Sequence, residues 1–407
     1  MTVERIEAQC CIAGGGPAGM VLGLLLARAG VDVVVLEKHA DFLRDFRGDT
    51  IHPSTLEVMH ELGLLDELLK LPHTKIEQLA GQIGDDTWPI ADMGQLPTRC
   101  KFIAIMPQWD FLNFLASNAA RYPGFKLRTL AKAKALIEQH GRVVGIRGQT
   151  EQGKIEVRAP LSVGADGRHS TIRTSAGMTP DSLGAPMDVL WFKLSRRAGD
   201  PSETMGRFAG GRIFVPINRG EHWQCGYVIP KGSIEQLHAK GLEAFRAEVA
   251  RMAPFVSDRV DELRSWDDVK PLTVRVDRLA HWHRPGLLCI GDAAHAMSPV
   301  GGIGINLAIQ DAVAAANLLA DKLRENRVTE SDLAAVQRRR EFPTRMTQRF
   351  QMFIQQKVIS NVLGSAGEIA PPLPLRVLKA VPWLRRFPAR LIGMGIRPEH
   401  VRVAARP

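Results

Sequence analysis

The sequence predicts an α/β protein in which a parallel sheet with crossover helices is interleaved with an α+β region carrying an antiparallel sheet. Three observations support this: an apolar run leading into a glycine-rich turn near the N-terminus, a second strand-to-turn-to-helix segment near residue 290, and a stretch of short strands at 179–274 between them. At ~100–200 residues per domain, the length of 407 residues suits two or three domains.

The N-terminal segment predicts a βαβ unit. Residues 9–13 are apolar and lead into a glycine cluster, and residues 20–29 form a second apolar segment that ends at Gly30. The β-branched run at 31–36 (VDVVVL) is typical of a buried parallel strand, and it ends at Glu37. This order predicts a strand, a tight turn, a helix and a second strand.

The glycine cluster follows the pattern G-x-G-x-x-G. Gly14 permits the tight turn, Gly16 lets the backbone approach a pyrophosphate, and Gly19 lets the helix and strand pack closely. The following helix directs its positive end at a phosphate. Glu37 comes at the end of the next strand, where a carboxylate accepts hydrogen bonds from a ribose diol. The unit therefore predicts a dinucleotide site.

The middle of the chain predicts two strand-rich regions, at 78–100 and 179–274, that we expect to line a substrate pocket. Half of the side chains on any such strand face away from the pocket. The remaining predicted elements are a helix at 54–65 capped by Ser54, a helix at 108–120, a β meander at 126–130, 134–139, 143–149 and 154–159, strands at 189–194, 212–216 and 224–229, and a helix at 242–252. The pocket candidates are Trp191, Phe192, Phe214 and Tyr227.

Two later segments place polar residues directly after a strand. The strand at 161–165 ends at Asp166, Gly167 and Arg168, which alone is most simply a polar surface turn. A second strand ends at Gly291 and Asp292, and a glycine-rich loop then leads into an Ala-rich helix beginning near Gly304. A carboxylate followed by a loop with few side chains and a helix N-terminus suits the binding of polyol hydroxyls and a flat ring.

These three segments, in this order, resemble the single-component flavin-dependent aromatic hydroxylases, the para-hydroxybenzoate hydroxylase-like group. The resemblance covers about residues 9–320 and implies a Rossmann-like FAD-binding domain interleaved with a substrate domain. The implied boundaries are 1–77, 99–178 and 275–350 for the FAD-binding domain, 78–98 and 179–274 for the substrate-binding domain, and 351–407 for a helical, basic C-terminal tail.

The resemblance also implies the site. Glu37 would hold the adenosine ribose, Arg47 would lie between flavin and pyridine nucleotide, and Asp292 would bind the ribityl chain. The residues implied to bind the cofactor are Gly14, Gly15, Gly16, Pro17, Ala18, Gly19, Glu37, Lys38, Arg47, Gln108, Asp166, Asp292, Pro299, Gly301, Gly304, Ile305 and Asn306.

The implied activity is that of a monooxygenase. NAD(P)H would reduce FAD at a transient site, and O2 would hydroxylate an aromatic or other electron-rich small molecule through a flavin C4a-hydroperoxide. The catalytic candidates are Arg47, His52 and Pro299, whereas His295 is expected to be a packed core histidine. A reductase or dehydrogenase of the same fold and a non-catalytic flavin-binding regulatory protein are the alternatives.

The amino-acid composition argues against several classes of partner and site. Only 6% of residues are aromatic, which argues against a nucleic-acid stacking platform despite the net charge of +10. Five cysteines without a CxxC spacing argue against a metal site or a disulfide framework and favour a cytoplasmic protein. The apolar runs are too short to span a bilayer.

The C-terminal tail is basic and apolar. It suits an anionic membrane surface, the protein's own surface or a second subunit of a homodimer, with docking on protein favoured. Its prolines argue against one continuous helix. From residue 375 onward the basic residues are Arg376, Lys379, Arg385, Arg386, Arg390, Arg397, Arg402 and Arg406, against the single acid Glu399.

Overall fold

The structure is a computed structural model that describes residues 3–43, 50–201, 204–364 and 370–406. Its centre is a sheet whose strands run parallel apart from an antiparallel strand at one edge, as the sequence predicts. The continuous apolar run at Val33–Leu36 is explained by burial on both sides, since Val33 and Val35 join one core cluster and Val34 and Leu36 join another. In spatial order the strands are His283–Arg284, Leu287–Cys289, Leu161–Gly164, Cys10–Ala13, Val33–Leu36 and Phe125–Arg128.

Helices Pro17–Arg28 and Ile303–Arg324 pack against each other over one face of this sheet, and Gln108–Ala119 packs beside them. The segment Val300–Arg324 is long and apolar enough to cross a membrane, but 83% of its apolar 18-residue stretch is buried inside the protein. It is therefore the core helix of this domain. All five cysteines are buried as free thiols.

The other face of the central sheet carries a small sheet that corrects one prediction. The meander was predicted to begin at 126–130, but Phe125–Arg128 lies at the edge of the central sheet, parallel to Val33–Leu36. The fourth strand of the small sheet is instead Val3–Glu7, which pairs parallel with the last meander strand at the opposite edge. Strand periodicity does not say which sheet a strand joins, so the error lies in the pairing. The order is Val3–Glu7, Lys154–Arg158, Arg142–Gln149 and Lys132–Gln139.

A third, large sheet joins the two predicted strand-rich regions, and we call it the pocket sheet. Gln78–Ile83 pairs parallel with Gly206–Ala209, which attaches the early excursion to the later strands. Helix Leu242–Met252, predicted at these residues, covers one face of the sheet. The strand order is Lys270–Leu272, Met187–Ser195, His222–Pro230, Arg212–Asn218, Gly206–Ala209, Gln78–Ile83 and Asp86–Asp92.

The tail is broken into short helices that dock on the protein. Helices Leu373–Ala380 and Arg386–Gly393 both pack against Asp86–Asp92, the edge strand of the pocket sheet. Farther on, the Arg28 guanidinium donates a hydrogen bond to the Val403 carbonyl at 2.7 Å. The tail therefore covers an edge that would otherwise be open for pairing.

The helix predicted at 54–65 begins one residue earlier than expected. His52 occupies the cap position and Pro53 the first turn, where proline loses no hydrogen bond, so the predicted cap at Ser54 is wrong. The remaining strands are Thr50–Ile51, Thr74–Ile76, Ile103–Ile105, Asp181–Ser182 and Asp277–Arg278. The remaining helices are Pro53–Glu61, Leu65–Leu68, Met93–Gln95, Thr171–Ser175, Ile234–Lys240, Pro254–Glu262, Trp266–Asp268, Gly291–Ala293, Val300–Gly302, Glu330–Ile354, Gln355–Ile359, Ser360–Leu363 and Pro382–Arg385.

Candidate functional site

One large cavity, of about 1550 Å³, extends from the carboxyl ends of the central strands to the pocket sheet. At the first end it is lined by the glycine turn, Glu37, Asp166 and Asp292, and at the other end by apolar side chains of the pocket sheet and the tail. The carboxyl ends of parallel strands are where α/β proteins bind nucleotides. We call the two ends the nucleotide side and the apolar chamber.

The glycine turn is closed on one side and open on the other. A Cβ atom on Gly14, whose φ is +109°, would lie 2.3 Å from the Ala165 carbonyl oxygen, and one on Gly19 would lie 2.0 Å from the Gly14 carbonyl oxygen. At Gly16, by contrast, a Cβ would meet no atom of the described residues within 4 Å, and Gly16 lines the cavity. Two of the glycines therefore permit close packing, and the third leaves room for a ligand against the backbone.

Glu37 is buried at the end of its strand and braces this turn. Its Oε2 accepts a hydrogen bond from the Gly15 amide at 2.9 Å, and its Oε1 accepts one from the His39 amide at 3.0 Å. A carboxylate oxygen can accept more than one hydrogen bond, so these bonds to the turn do not by themselves prevent contact with a ribose hydroxyl. Lys38, next to it, also lines the cavity, and so does Gln108 at the first turn of its helix.

The two later motifs come together at the nucleotide side. Asp166 accepts hydrogen bonds from the amides of Thr171 and Ile172, at 2.7 and 3.1 Å, and so stabilises the start of a short helix. Arg168 reaches across to Asp292 at 3.4 Å. Asp292 is about one-third exposed toward the cavity, which leaves its carboxylate accessible to a ligand.

Sequence reasoning missed Arg173, which fastens these loops. Its buried guanidinium donates hydrogen bonds to the Ala293 carbonyl at 3.1 Å and to the Arg168 carbonyl at 2.8 Å. The sequence does show an arginine within the first turn of the short helix that follows Asp166. Its partner loop is distant in sequence, and no local pattern indicates it.

The glycine loop before the long helix also lines the cavity. Gly301 and Gly302 have positive φ angles of 77° and 63°, and the helix begins at Ile303, next to the predicted Gly304. Pro299, Gly304 and Ile305 lie along the same wall. A helix N-terminus with unpaired amides at such a wall favours negative charge on a bound ligand.

Asn306 stands behind this wall rather than in it. Its Oδ1 accepts hydrogen bonds from the His52 amide at 2.9 Å and the Thr55 hydroxyl at 2.7 Å, and its Nδ2 donates to the Thr50 carbonyl at 3.1 Å. These bonds tie the chain at residues 50–55 to the long helix. Its predicted contact with a cofactor stays a prediction.

A buried charged network holds the second loop from behind. Asp311 accepts hydrogen bonds from His295 at 2.6 Å, the Gly291 amide at 3.1 Å and Arg340 at 3.0 Å. Burial raises the pKa of Asp311, but the His295 and Arg340 contacts outweigh burial and leave this pKa below its usual value. His295 is thus a core histidine, as expected, with a specific partner. Arg340 also contacts Glu399, which joins the tail to this network.

Of the catalytic candidates, His52 and Pro299 are described and Arg47 lies outside the described residues. His52 is fully buried, and its Nδ1 donates to the Ile392 carbonyl at 2.7 Å, because a carbonyl only accepts. Burial lowers the pKa of His52 from 6.5 to about 4, so the imidazole is neutral near pH 7.

Comparisons with known proteins decide the family. A family model described as an FAD binding domain matches residues 7–350. A 6-methylpretetramide 4-monooxygenase from Streptomyces rimosus is 33% identical over 366 residues, which cover 89% of this chain and 87% of the relative. The chain belongs to the FAD-dependent aromatic hydroxylase family. It is an FAD-dependent monooxygenase by this membership, which confirms the resemblance read from the sequence.

Solved structures share the fold. The anhydrotetracycline hydroxylase of Streptomyces rimosus superposes with a TM-score of 0.75 at 22% identity, covering 95% of this chain and 76% of that one. The p-nitrophenol 4-monooxygenase of Pseudomonas putida DLL-E4 gives 0.73 at 21% identity, covering 94% and 98%. The predicted interleaved FAD-binding and substrate domains are therefore the fold of this hydroxylase.

The residues on the nucleotide side fit FAD. The open position at Gly16, the Glu37 carboxylate and the accessible Asp292 carboxylate lie along one cavity wall, and the loop at Pro299 follows them. These groups suit, in turn, a pyrophosphate, a ribose diol, a polyol chain and a flat ring.

Of the four side chains predicted to line the substrate pocket, one lines the apolar chamber. Trp191 lines the cavity, with Val189 beside it on the same strand face. Phe192, Phe214 and Tyr227 do not, because they point to the opposite face of the pocket sheet and pack under helix Leu242–Met252. The prediction was wrong for these three, since strand alternation gives two faces without saying which one is covered by a helix.

The tail supplies part of the chamber wall, which the sequence did not indicate. Leu375, Leu378, Pro388 and Ile392 line the cavity. Among the described lining residues the carboxylates are Glu37, Asp166 and Asp292, all on the nucleotide side. The chamber is therefore suited to an apolar molecule without a positive charge.

Proposed function

We propose that this hydroxylase uses FAD, NAD(P)H and O2 to hydroxylate an apolar aromatic molecule. The observation that carries the proposal is the single cavity, in which a nucleotide site built on the glycine turn opens directly into an apolar chamber. The relative from Streptomyces rimosus is named for 6-methylpretetramide. We infer an aromatic substrate for this chain from its membership in the FAD-dependent aromatic hydroxylase family.

The chain's own residues bind, orient and shield. Bound FAD supplies hydride acceptance from NAD(P)H and the activation of O2. The backbone at Gly16 and the helix beginning at Pro17 would hold the pyrophosphate, and the N-terminus of helix Ile303–Arg324 would stabilise negative charge on the ring. The apolar chamber would place the substrate and exclude water from the reacting atoms.

His52 lines the cavity, but its Nδ1 contact and its pKa argue against a role as a general acid. Its Nδ1 proton is held by the Ile392 carbonyl, and its depressed pKa keeps it neutral. We infer that it positions the turn between Thr50 and Pro53 beside the glycine loop, where the Thr50 hydroxyl donates to the Gly302 carbonyl at 3.0 Å. The predicted role of Arg47 between flavin and pyridine nucleotide remains part of the proposal.

The proposal includes the predicted organisation of the chain. We assign 1–77, 99–178 and 275–350 to FAD binding, 78–98 and 179–274 to substrate binding, and a cytoplasmic location to the enzyme. O2 and a small-molecule substrate are its partners.

The test is anaerobic reduction of the FAD-loaded protein with NADH or NADPH across a panel of phenols and polycyclic aromatics, followed by addition of ¹⁸O-labelled O2. We expect substrate-stimulated flavin reduction and one labelled oxygen in the product. Flavin reduction without label in any product, with H2O2 accounting for all oxidised NAD(P)H, would instead fit a reductase or an oxidase.

A further inference from the structure

The two tail helices present different surfaces on their two sides. Leu375 and Leu378 line the apolar chamber, whereas Leu373 and Val377, on the same helix, are 72% and 41% exposed. On the second helix, Pro388 and Ile392 line the chamber, and Phe387 is 54% exposed. Both helices rest on strand Asp86–Asp92, so their exposed sides point away from the protein.

The exposed aromatic pair is held together by a cation. Trp383 and Phe387 stand edge to face at 6.0 Å between ring centroids. The Arg386 guanidinium lies 5.1 Å from the Trp383 ring centre and 5.0 Å from that of Phe387. Such a cluster combines a large apolar area with a positive charge that can pair with an anionic headgroup.

The segment that forms the two tail helices is positively charged. Residues 371–395 contain five basic residues and no acidic residue. Lys379 is compensated by Asp86 at 3.8 Å, and Arg385 donates to the Leu378 carbonyl at the end of the first helix. Within the described residues, Arg376, Arg386 and Arg390 have no carboxylate partner. We define the tail outer face as Leu373, Arg376, Val377, Trp383, Arg386, Phe387 and Arg390.

The cavity opens beside this face. Phe353, Lys357 and Pro374 are exposed and also line the cavity, so they mark an opening on the tail side. Phe353 is 60% exposed, so part of the rim of that opening is apolar. An apolar molecule held in a bilayer under this face would lie close to the opening.

We propose that the tail outer face binds an anionic membrane surface and presents the cavity opening to the lipid. Apolar and aromatic side chains insert at the headgroup boundary while arginines pair with anionic lipids. The uncompensated arginines favour an anionic bilayer over a second copy of this chain, because two such faces would bring like charges together. Binding itself does not depend on the proposed hydroxylation, but the delivery of substrate from lipid does.

The experiment is cosedimentation of the FAD-loaded full chain with vesicles of phosphatidylcholine alone or mixed with phosphatidylglycerol. We expect binding to the mixed vesicles that weakens as salt is added. Arg386→Glu with Arg390→Glu should lower the vesicle partition coefficient about thirtyfold or more, since each basic residue near the surface contributes about 1 kcal/mol. Trp383→Ser with Phe387→Ser should also lower it while retaining FAD and the activity on a water-soluble substrate.

The matched control is Lys240→Glu with Arg251→Glu, exposed residues of the helices that cover the opposite face of the pocket sheet. These should bind vesicles within about twofold of the wild type. Equal binding by all variants, or no binding to anionic vesicles, would overturn the proposal. A concentration-dependent dimer abolished by the Trp383 and Phe387 changes, without lipid binding, would assign the face to self-association instead. Vesicle binding and dimer formation are measured without turnover, so their outcome is separate from that of the hydroxylase assay.

Discussion

At the scale of single residues, the glycines of the first turn divide into packing positions and a ligand position. Gly14 and Gly19 are surrounded by backbone, whereas the Cβ position of Gly16 faces the cavity. The sequence pattern predicts a separate role for each of the three, and the space around each Cβ position is what those roles require. The separation makes the cofactor assignment testable without disturbing the fold.

Gly16→Val should leave the fold intact and abolish FAD binding. Its φ of −75° is accessible to valine, and the added side chain enters space that the pyrophosphate would occupy. We expect far-UV circular dichroism like that of the wild type and at least a hundredfold weaker FAD binding by flavin fluorescence. Gly19→Ala is the comparison, because its Cβ would meet the Gly14 carbonyl oxygen and should lower the melting temperature. FAD content unchanged in Gly16→Val would refute the placement of the cofactor.

His52 predicts a specific pH dependence of stability. Its pKa is about 4 in the folded protein against 6.5 ordinarily, so the unfolded chain takes up a proton in this range that the folded protein does not. The contribution of the neutral buried imidazole is therefore complete above pH 6.5 and is lost as the pH falls toward 4. The loss amounts to about 3 kcal/mol at most.

The measurement is the free energy of urea unfolding of wild type and His52→Gln between pH 7 and pH 4.5. The difference between the two proteins should shrink as the pH falls, because the variant lacks the titrating group. His281→Gln, at an exposed histidine, serves as control. A difference that is constant with pH would mean that His52 does not carry this titration.

At the scale of elements, the alternation of one strand separates function from stability. Trp191 lines the apolar chamber, and its neighbour Phe192 is fully buried under a helix, 5.5 Å from the Phe245 ring centre. Trp191→Ala should raise KM for the aromatic substrate about tenfold with FAD content unchanged. Phe192→Ala should instead lower the free energy of unfolding by about 3–5 kcal/mol. KM and thermal unfolding of both variants decide this, and a larger KM effect at Phe192 would contradict the assigned faces.

Elements defined by local pattern were predictable, and their partners were not. The helix at Leu242–Met252 and the turn at Gly14 follow from spacing and residue type alone. The edge position of Phe125–Arg128 and the bonds of Arg173 depend on contacts between residues far apart in the chain, for which a single sequence holds no local signal. The tail was recognised as basic and interrupted, but its place over the chamber depends on strand Asp86–Asp92.

At the scale of the whole molecule, the cavity is closed by parts from both ends of the chain. The nucleotide side is built near the N-terminus, whereas the chamber wall includes Leu375 and Leu378 of the tail. The network from Asp311 through Arg340 to Glu399 links the loop at Gly291 to the same tail. The tail and the loop at Gly291 are therefore joined by a continuous chain of buried contacts.

Because the tail forms part of the chamber wall, changes in the tail should alter how much H2O2 the enzyme releases. Leu375→Ser with Leu378→Ser adds polar groups to the chamber wall and admits water, so reducing equivalents should be lost as H2O2 rather than used for hydroxylation. We expect a severalfold rise in H2O2 formed per NAD(P)H oxidised in the presence of substrate. Val377→Ser is the matched control, because Val377 lies on the same helix and points outward. Equal H2O2 yields from the two proteins would show that the tail does not seal the chamber, since only the inward-facing pair borders it.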